Sequence, residues 1–256
     1  MMRYWALTDT GCVRPENQDA WHVRTVAGEG GTEILTAVVC DGMGGARAGN
    51  VASGLGVDLF TDTLCGELRT VDDAENAVPG AVAAANKAIY ERSVSAEEYS
   101  GMGTTLVAAV TDGRKTLVVN IGDSRCYLIR DKLIRQITKD HSLVQDLVDR
   151  GEIDRADAWL HPQRNYITRA LGTDETVDAD RFHLILEPED VLLLCTDGLS
   201  GIVDPQELLF EAAYGGDIST AAQRMMNIAL ERGAPDNVTL ILLTGDPVPR
   251  TDELPG

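Results

Sequence analysis

The sequence predicts an α+β fold in which antiparallel sheets carry helices packed against them. Two observations lead there. Strand-like blocks arrive in runs joined by short turns such as Asp112-Gly113 and Arg130-Asp131, and helix-like blocks are grouped together rather than alternating one for one with strands. No Ser/Gly/Pro-rich linker divides the chain, and no internal repeat is visible.

Taken in order, residues 3–10, 20–27 and 33–40 are the first strand candidates, rich in Val, Ile, Leu and Thr or bounded by Gly and Asp. Residues 46–65 then change period: Ala48, Ala52, Leu55 and Leu59 fall on one helical face, and 80–93 repeats this with Val82, Ala85 and Ile89. A run of strand candidates follows at 104–111, 115–121, 125–130 and 132–137. Residues 142–172 are polar, helix-like and then irregular, which reads as an insertion between two strand runs. Strand candidates at 181–186 and 190–195 precede a helix at 217–232, marked by Ile218, Ala221, Ala222, Met225 and Ile228, and a last strand at 238–243. Beyond Thr244 the periodicity stops at Gly245-Asp246-Pro247-Val248-Pro249, read as a terminus or the start of a linker.

At 256 residues, with 44% hydrophobic and 25% charged residues, the chain can bury a substantial core. Its formal net charge of −19 opposes binding to nucleic acid or an anionic lipid surface. No apolar run reaches the roughly 20 residues of a membrane span, and no signal-peptide core follows Met1, so no membrane insertion and a cytoplasmic location are expected. The five cysteines are scattered without a CxxC pair, which argues against a thiolate zinc site or a disulfide framework.

Four aspartates stand where apolar strands begin or end. Asp41 follows 34–40, Asp123 follows 117–122, Asp197 follows 191–196, and Asp236 precedes 238–242. Any one alone reads better as a cap or turn former. Four together, if their strand ends converge, carry a desolvation cost that only cations offset. An all-oxygen donor set suits Mg²⁺ or Mn²⁺, and two such ions are a common device for phosphoryl hydrolysis. Glycines after Asp41 and Asp197 would let the backbone come close to an ion. Arg14, on the loop Arg14-Pro15-Glu16-Asn17-Gln18-Asp19, is the natural planar clamp for a phosphate, although by composition alone it is an ordinary surface charge.

The ordered set Arg14-x-x-Asn17-Gln18-Asp19, Asp41-Gly42-Met43-Gly44-Gly45, Gly101-Met102-Gly103-Thr104-Thr105, Gly122-Asp123-Ser124-Arg125, Asp140-His141-Ser142, Thr196-Asp197-Gly198 and Asp236-Asn237-Val238-Thr239 resembles the metal-dependent protein phosphatases of the 2C type, above all their bacterial branch. The likeness runs from about Arg14 to Leu243. It implies a four-layer α-β-β-α sandwich: one catalytic domain over residues 1–245, a flap at about 143–171, and a tail at 246–256. It also implies serine/threonine protein phosphatase activity through a hydroxide bridging two Mn²⁺ or Mg²⁺ ions, without a phosphoenzyme. By resemblance, Asp41 bridges the two ions with the Gly42 carbonyl on one of them. Asp197 and Asp236 bind the other, and Asp123 with Asp197 marks a third. Asp19 acts through water, and Arg14 holds the substrate phosphate. The implied partners are phosphoprotein substrates and the serine/threonine kinases whose signalling the enzyme reverses, with the chain acting as a monomer.

The chain departs from the family pattern at Met43, where many members carry a histidine, at Ala46 and Asn50, where His and Glu are frequent, and at Gln18, which replaces a frequent Glu. His141 is expected to be a structural residue of the turn into the flap rather than a general acid. Cys195, two residues before Asp197, stands where a haloacid-dehalogenase-type phosphatase would need an aspartate, and no Gly-Lys-Ser/Thr follows the glycines at 42–45 as a P-loop requires. A phosphatase dedicated to one regulatory phosphoprotein stays open as an alternative. A non-catalytic pseudophosphatase is disfavoured, because every ligand position implied by the resemblance is filled.

Overall fold

Alternation at period two sorts the strand side chains between two interiors, and that division builds the layers. The computed structural model describes residues 2–245, without the side chains of Ala46 and Arg47; the tail read at 246–256 lies outside the described residues, and the departure at Ala46 outside the described side chains. One sheet has the order β1 (Arg3–Asp9), β11 (Val238–Thr244), β10 (Val191–Cys195), β7 (Arg125–Arg130), β8 (Leu133–Gln136). The other runs β2 (Asp19–Ala27), β3 (Glu33–Met43), β5 (Leu106–Thr111), β6 (Lys115–Ile121), β9 (Asp180–Ile185), with the short β4 (Gly103–Thr104) on the end of β3. Every pairing is antiparallel.

On β3, Ile34, Val38 and Cys40 pack outward with Phe60 and Leu64 of α1 (Gly45–Glu67) and Val78, Ala81 and Ile89 of α2 (Ala74–Ser93). The intervening Leu35, Ala37 and Val39 face inward and join Val107, Ala109, Leu192, Leu194, Ile241 and Leu243 between the sheets. The outward residues of the first sheet, Leu193, Cys195, Leu240 and Leu242, pack with Met225 and Met226 of α7 (Ile218–Glu231) and Leu208 of α6 (Pro205–Tyr214). The result is the four-layer α-β-β-α sandwich. Two short helices, α3 (Leu143–Asp149) and α4 (Arg155–Ala158), lie in the insertion, and α5 (Asp197–Ser200) opens directly after β10.

Several elements differ from the sequence reading. β3 does not stop before Asp41 but runs on to Met43, because Asp19 and Asp41 are opposite partners in the β2–β3 ladder and β4 continues the pairing through Gly42. The strand expected at 104–111 is broken at Thr105, which turns aside to bond the Asp41 backbone: its amide donates to the Asp41 carbonyl at 2.9 Å. The helix expected from residue 80 begins at Ala74, with Pro79 inside it. Pro79 has no amide to give the Glu75 carbonyl, and Arg181 Nη1 donates to that carbonyl at 3.2 Å instead. The helix α6 was not foreseen, although its capping box was present in Asp204-Pro205-x-Glu207: the Asp204 side chain accepts from Gln206 N at 2.7 Å and Glu207 accepts from Asp204 N at 3.1 Å.

Leu194 lies fully buried between the sheets. Leu194→Ala should lower stability by about 2–5 kcal/mol, seen as a lower urea midpoint at unchanged slope. A shift of only a few tenths of that would show that the inter-sheet layer is not close-packed.

Candidate metal centre

Antiparallel topology puts the end of one strand beside the start of its neighbour, and the acidic residues occupy those ends. Asp19 opens β2 opposite Asp41 near the end of β3. Asp197 follows β10 and Asp236 precedes β11, and these two strands pair with Cys195 opposite Leu240. Asp123 follows β6 in the turn into β7. All five converge. Burial, and then the negative charges of Asp19, Asp197, Asp123 and Asp236, hold the Asp41 carboxyl well above the usual carboxylate range.

The other members of the cluster respond in the same way. Burial is the main cause in each, and it pushes Asp19 up to about 7, with the Thr239 and Thr196 hydroxyls opposing it and the Asp197 and Asp236 charges adding to it. Asp123 is raised by burial and by Asp197, against the pull of Arg125. Asp197 is raised by burial and by Asp236, while Asp41 and the charge of Arg125 work the other way.

The backbone beneath the cluster is fixed on every side. The Asp41 amide donates to Thr105 Oγ1 at 2.9 Å, and its carbonyl accepts from the Thr104 hydroxyl at 2.8 Å. Gly42 N donates to the Gln18 carbonyl at 3.1 Å. A Cβ on Gly42 would stand 2.0 Å from the Gly49 carbonyl oxygen, and one on Gly198 would stand 1.8 Å from that of Asn237. Only glycine fits at either place. Asn237 staples the loop that carries Arg14: its side chain accepts from Gln18 N at 2.8 Å and donates to the carbonyls of Thr10 at 2.8 Å and Glu16 at 3.0 Å.

Arg14 stands half-exposed at the rim, and its Nη2 donates to Asp236 Oδ2 at 2.7 Å. Asp236 Oδ1 accepts from the Asn237 amide at 2.9 Å. A guanidinium carries five N–H donors, so this contact leaves most of the fork for an incoming anion. Arg14, Asp41, Gly42, Asp123, Asp197 and Asp236 share the wall of one cavity of about 450 Å³, which Met43 also lines.

Whether the donors suit hard divalent ions is answered by their chemistry. They are all oxygen, and Asp19 Oδ1 is buried with no hydrogen-bond partner while Oδ2 accepts from the Thr196 hydroxyl at 3.0 Å. Among the described residues no group of three or more His, Cys, Asp or Glu side chains is already placed to hold a metal ion. Asp236 is held by Arg14, and Asp41 and Asp197 lie close enough to shift each other's titration. The donor set fits Mg²⁺ or Mn²⁺ and not zinc.

The remaining positions singled out in the sequence sort clearly. His141 Nδ1 accepts from the Gly122 amide at 3.0 Å and its own amide donates to the Gly122 carbonyl at 2.9 Å, so it shapes the turn into the insertion. Burial, with Arg169 nearby, lowers its pKa, against the pull of Asp180. Gln18 Nε2 donates to the Gly45 carbonyl at 2.7 Å and holds the glycine turn after β3. The sequence reading assigned no role to Asn237, Thr196 or the ion pair of Arg125 with Asp140, although each lies inside a motif it had quoted. In that pair, Arg125 Nε and Nη2 grip Asp140 at 3.0 and 2.6 Å.

Comparison with known proteins agrees with this geometry. The family model described as "Protein phosphatase 2C" matches residues 15–239. A serine/threonine phosphatase, stp, of Listeria monocytogenes is 37% identical over 241 residues, covering 93% of this chain and 94% of its own. The solved structure of the serine/threonine phosphatase Stp1 from Staphylococcus aureus superposes with a TM-score of 0.87 at 37% identity, covering 96% of both chains. The catalytic domain of the serine/threonine protein phosphatase PstP, solved with two manganese ions, gives 0.80 at 34% identity over 95% of this chain and 97% of its own. By motif order, by layers and by these matches, the chain belongs to the protein phosphatase 2C family, in its bacterial serine/threonine phosphatase branch.

Proposed function

We propose that this chain hydrolyses phosphoserine and phosphothreonine monoesters on protein substrates, at a divalent-ion centre formed by Asp41, the Gly42 carbonyl, Asp197 and Asp236. The observation that carries this is the convergence of Asp19, Asp123, Asp197 and Asp236 on Asp41, with Arg14 on the wall of the same cavity. Bound Mn²⁺ or Mg²⁺ would supply Lewis acidity toward the phosphoryl oxygens and activate water at neutral pH.

Asp41, with the Gly42 carbonyl, Asp197 and Asp236, would hold two ions, and Asp123 together with Asp197 would hold a third. Asp19, with Oδ2 on Thr196, would act through water on the ions rather than bind one directly. Arg14 orients the phosphate and stabilises charge on its oxygens as the ester bond breaks. The two thiols next to the cluster in sequence are not suited to act as the nucleophile: Cys40 and Cys195 are fully buried, and burial pushes the Cys40 thiol up and the Cys195 pKa to about 12. In this reading the insertion at about 143–171 is a flap over the cavity, and residues 1–245 work as one catalytic domain. The enzyme acts as a cytoplasmic monomer and opposes serine/threonine kinases. Among the described residues no helix is long and apolar enough to cross a membrane.

Phosphate release from a phosphothreonine peptide should require Mn²⁺ or Mg²⁺ and stop on chelation. Asp197→Asn should lower the rate by several orders of magnitude, and near wild-type turnover in that variant would reject the assignment. Arg14→Ala should raise KM for the peptide by about 10–100-fold, the loss of a charge-assisted contact; an unchanged KM would move the phosphate clamp elsewhere. Asp123→Ala should remove one weak ion-binding step from a calorimetric Mn²⁺ titration and slow turnover while the tighter steps persist. An identical titration curve would rule out a third ion at that carboxylate.

A further inference from the structure

A second hollow of about 360 Å³ opens from the proposed centre and runs between α3 and α4 on one side and the start of α6 on the other. Its inner end is formed by Arg14, Asp123, Asp197 and Asp236, the groups that line the catalytic cavity. Its outer walls carry an apolar stripe among polar groups: Val144, Val148 and Trp159 on the insertion, Ile202 and Pro205 opposite, with Arg155 and Asp204 beside them. Val144 is buried, Val148, Ile202 and Pro205 are partly so, and Trp159 keeps about a third of its surface (36%) exposed.

The polar groups of the floor are already satisfied. Arg125 spends Nε and Nη2 on Asp140, and its Nη1 donates to the Tyr127 hydroxyl at 3.0 Å. Gln136 Nε2 donates to Asp140 at 2.8 Å. Arg125 is therefore not free to hold a second phosphate, and the apolar stripe is what the floor leaves to reward a visiting side chain. Arg164 Nη1 donates to the Trp159 carbonyl at 3.1 Å, which fixes the turn that presents the indole.

We propose that this groove is a specificity pocket for the substrate polypeptide, taking a large aliphatic or aromatic side chain that lies close in sequence to the phosphorylated serine or threonine. The inference rests on the proposed phosphatase reading and adds to it the kind of peptide the enzyme prefers. Continuity argues for this occupant: a chain whose phosphate reaches Arg14 must leave the cavity, and the apolar stripe begins where those shared residues end. The cationic Arg155 and Arg164 on the same hollow give a polypeptide carrying an acidic phosphate a favourable approach on a surface that is otherwise strongly anionic.

The test compares phosphothreonine peptides carrying leucine or serine at each position within three residues of the phosphothreonine, with Mn²⁺ present and p-nitrophenyl phosphate as the reference substrate. Leucine at one position should raise kcat/KM by about 10-fold or more, mostly through KM. Val148→Asp and, on the facing wall, Ile202→Ser should each reduce that preference to within about twofold while p-nitrophenyl phosphate turnover stays at the wild-type rate. Peptides turned over equally whatever their neighbours, or a leucine preference that survives both substitutions, would overturn the assignment. So would equal losses on peptide and p-nitrophenyl phosphate, which would make these residues structural only. Equal gains on both would mean that a segment of this chain fills the groove, and would overturn it as well. Loss of Mn²⁺-dependent turnover of p-nitrophenyl phosphate in the wild type would instead sink the underlying phosphatase reading.

Discussion

Crowding of negative charge around Asp41 is the constraint on which the rest of the molecule depends. Buried carboxylates repel one another and lose hydration, so a fold that gathers them spends stability to do so. The arrangement holds because the surrounding layers are close-packed and apolar, from Phe60 and Ile89 outside one sheet to Met225 and Leu208 outside the other. The acids are confined to one end of both sheets, where strand ends meet and backbone groups are available. The strain falls on a few ångströms of chain, and the sandwich behind it carries the cost.

Precision comes from hydrogen bonds between distant parts of the sequence. Thr104 and Thr105 fix Asp41 from β4 and the break after it, and Thr196 fixes Asp19 from the end of β10. Asn237 ties the Arg14 loop to the start of β11, so the proposed phosphate clamp and the Asp236 carboxylate move as one unit. Gly42 and Gly198 let backbones approach where a methyl group would collide with a carbonyl. These contacts touch no substrate in the proposed reaction. They decide whether the acids stay close enough to share ions, and small errors in such geometry lower rates steeply.

Much of the architecture was legible in the chain because its signals are local. The apolar run at 34–40 marks a strand buried on both faces, period-3.6 patterning in 217–232 reports which helix face is buried, and aspartates at the ends of apolar runs stand out without any structure. What escaped were features decided elsewhere in the chain. Pro79 looks like a helix start, yet Arg181, 102 positions later, satisfies the carbonyl that the proline leaves bare. Asp41-Gly42 looks like a turn, yet the ladder with β2 and β4 draws it into a strand. The contact of Arg14 with Asp236 spans 222 positions, and nothing local to either residue announces it. Asp204 and Glu207 did announce α6, by their spacing.

The central claim is that the cluster is held together against its own charge and is relieved by divalent cations. Thermal unfolding of the wild type and of Asp41→Asn at pH 8, with chelator and then with Mn²⁺, tests it most directly. The wild-type midpoint should rise with Mn²⁺ concentration, as binding to the folded state requires. Asp41→Asn should melt higher than wild type in chelator, because a buried carboxyl crowded by four others is gone, and should respond little to Mn²⁺. A variant that melts lower than wild type in chelator, or a wild type indifferent to Mn²⁺, would contradict it.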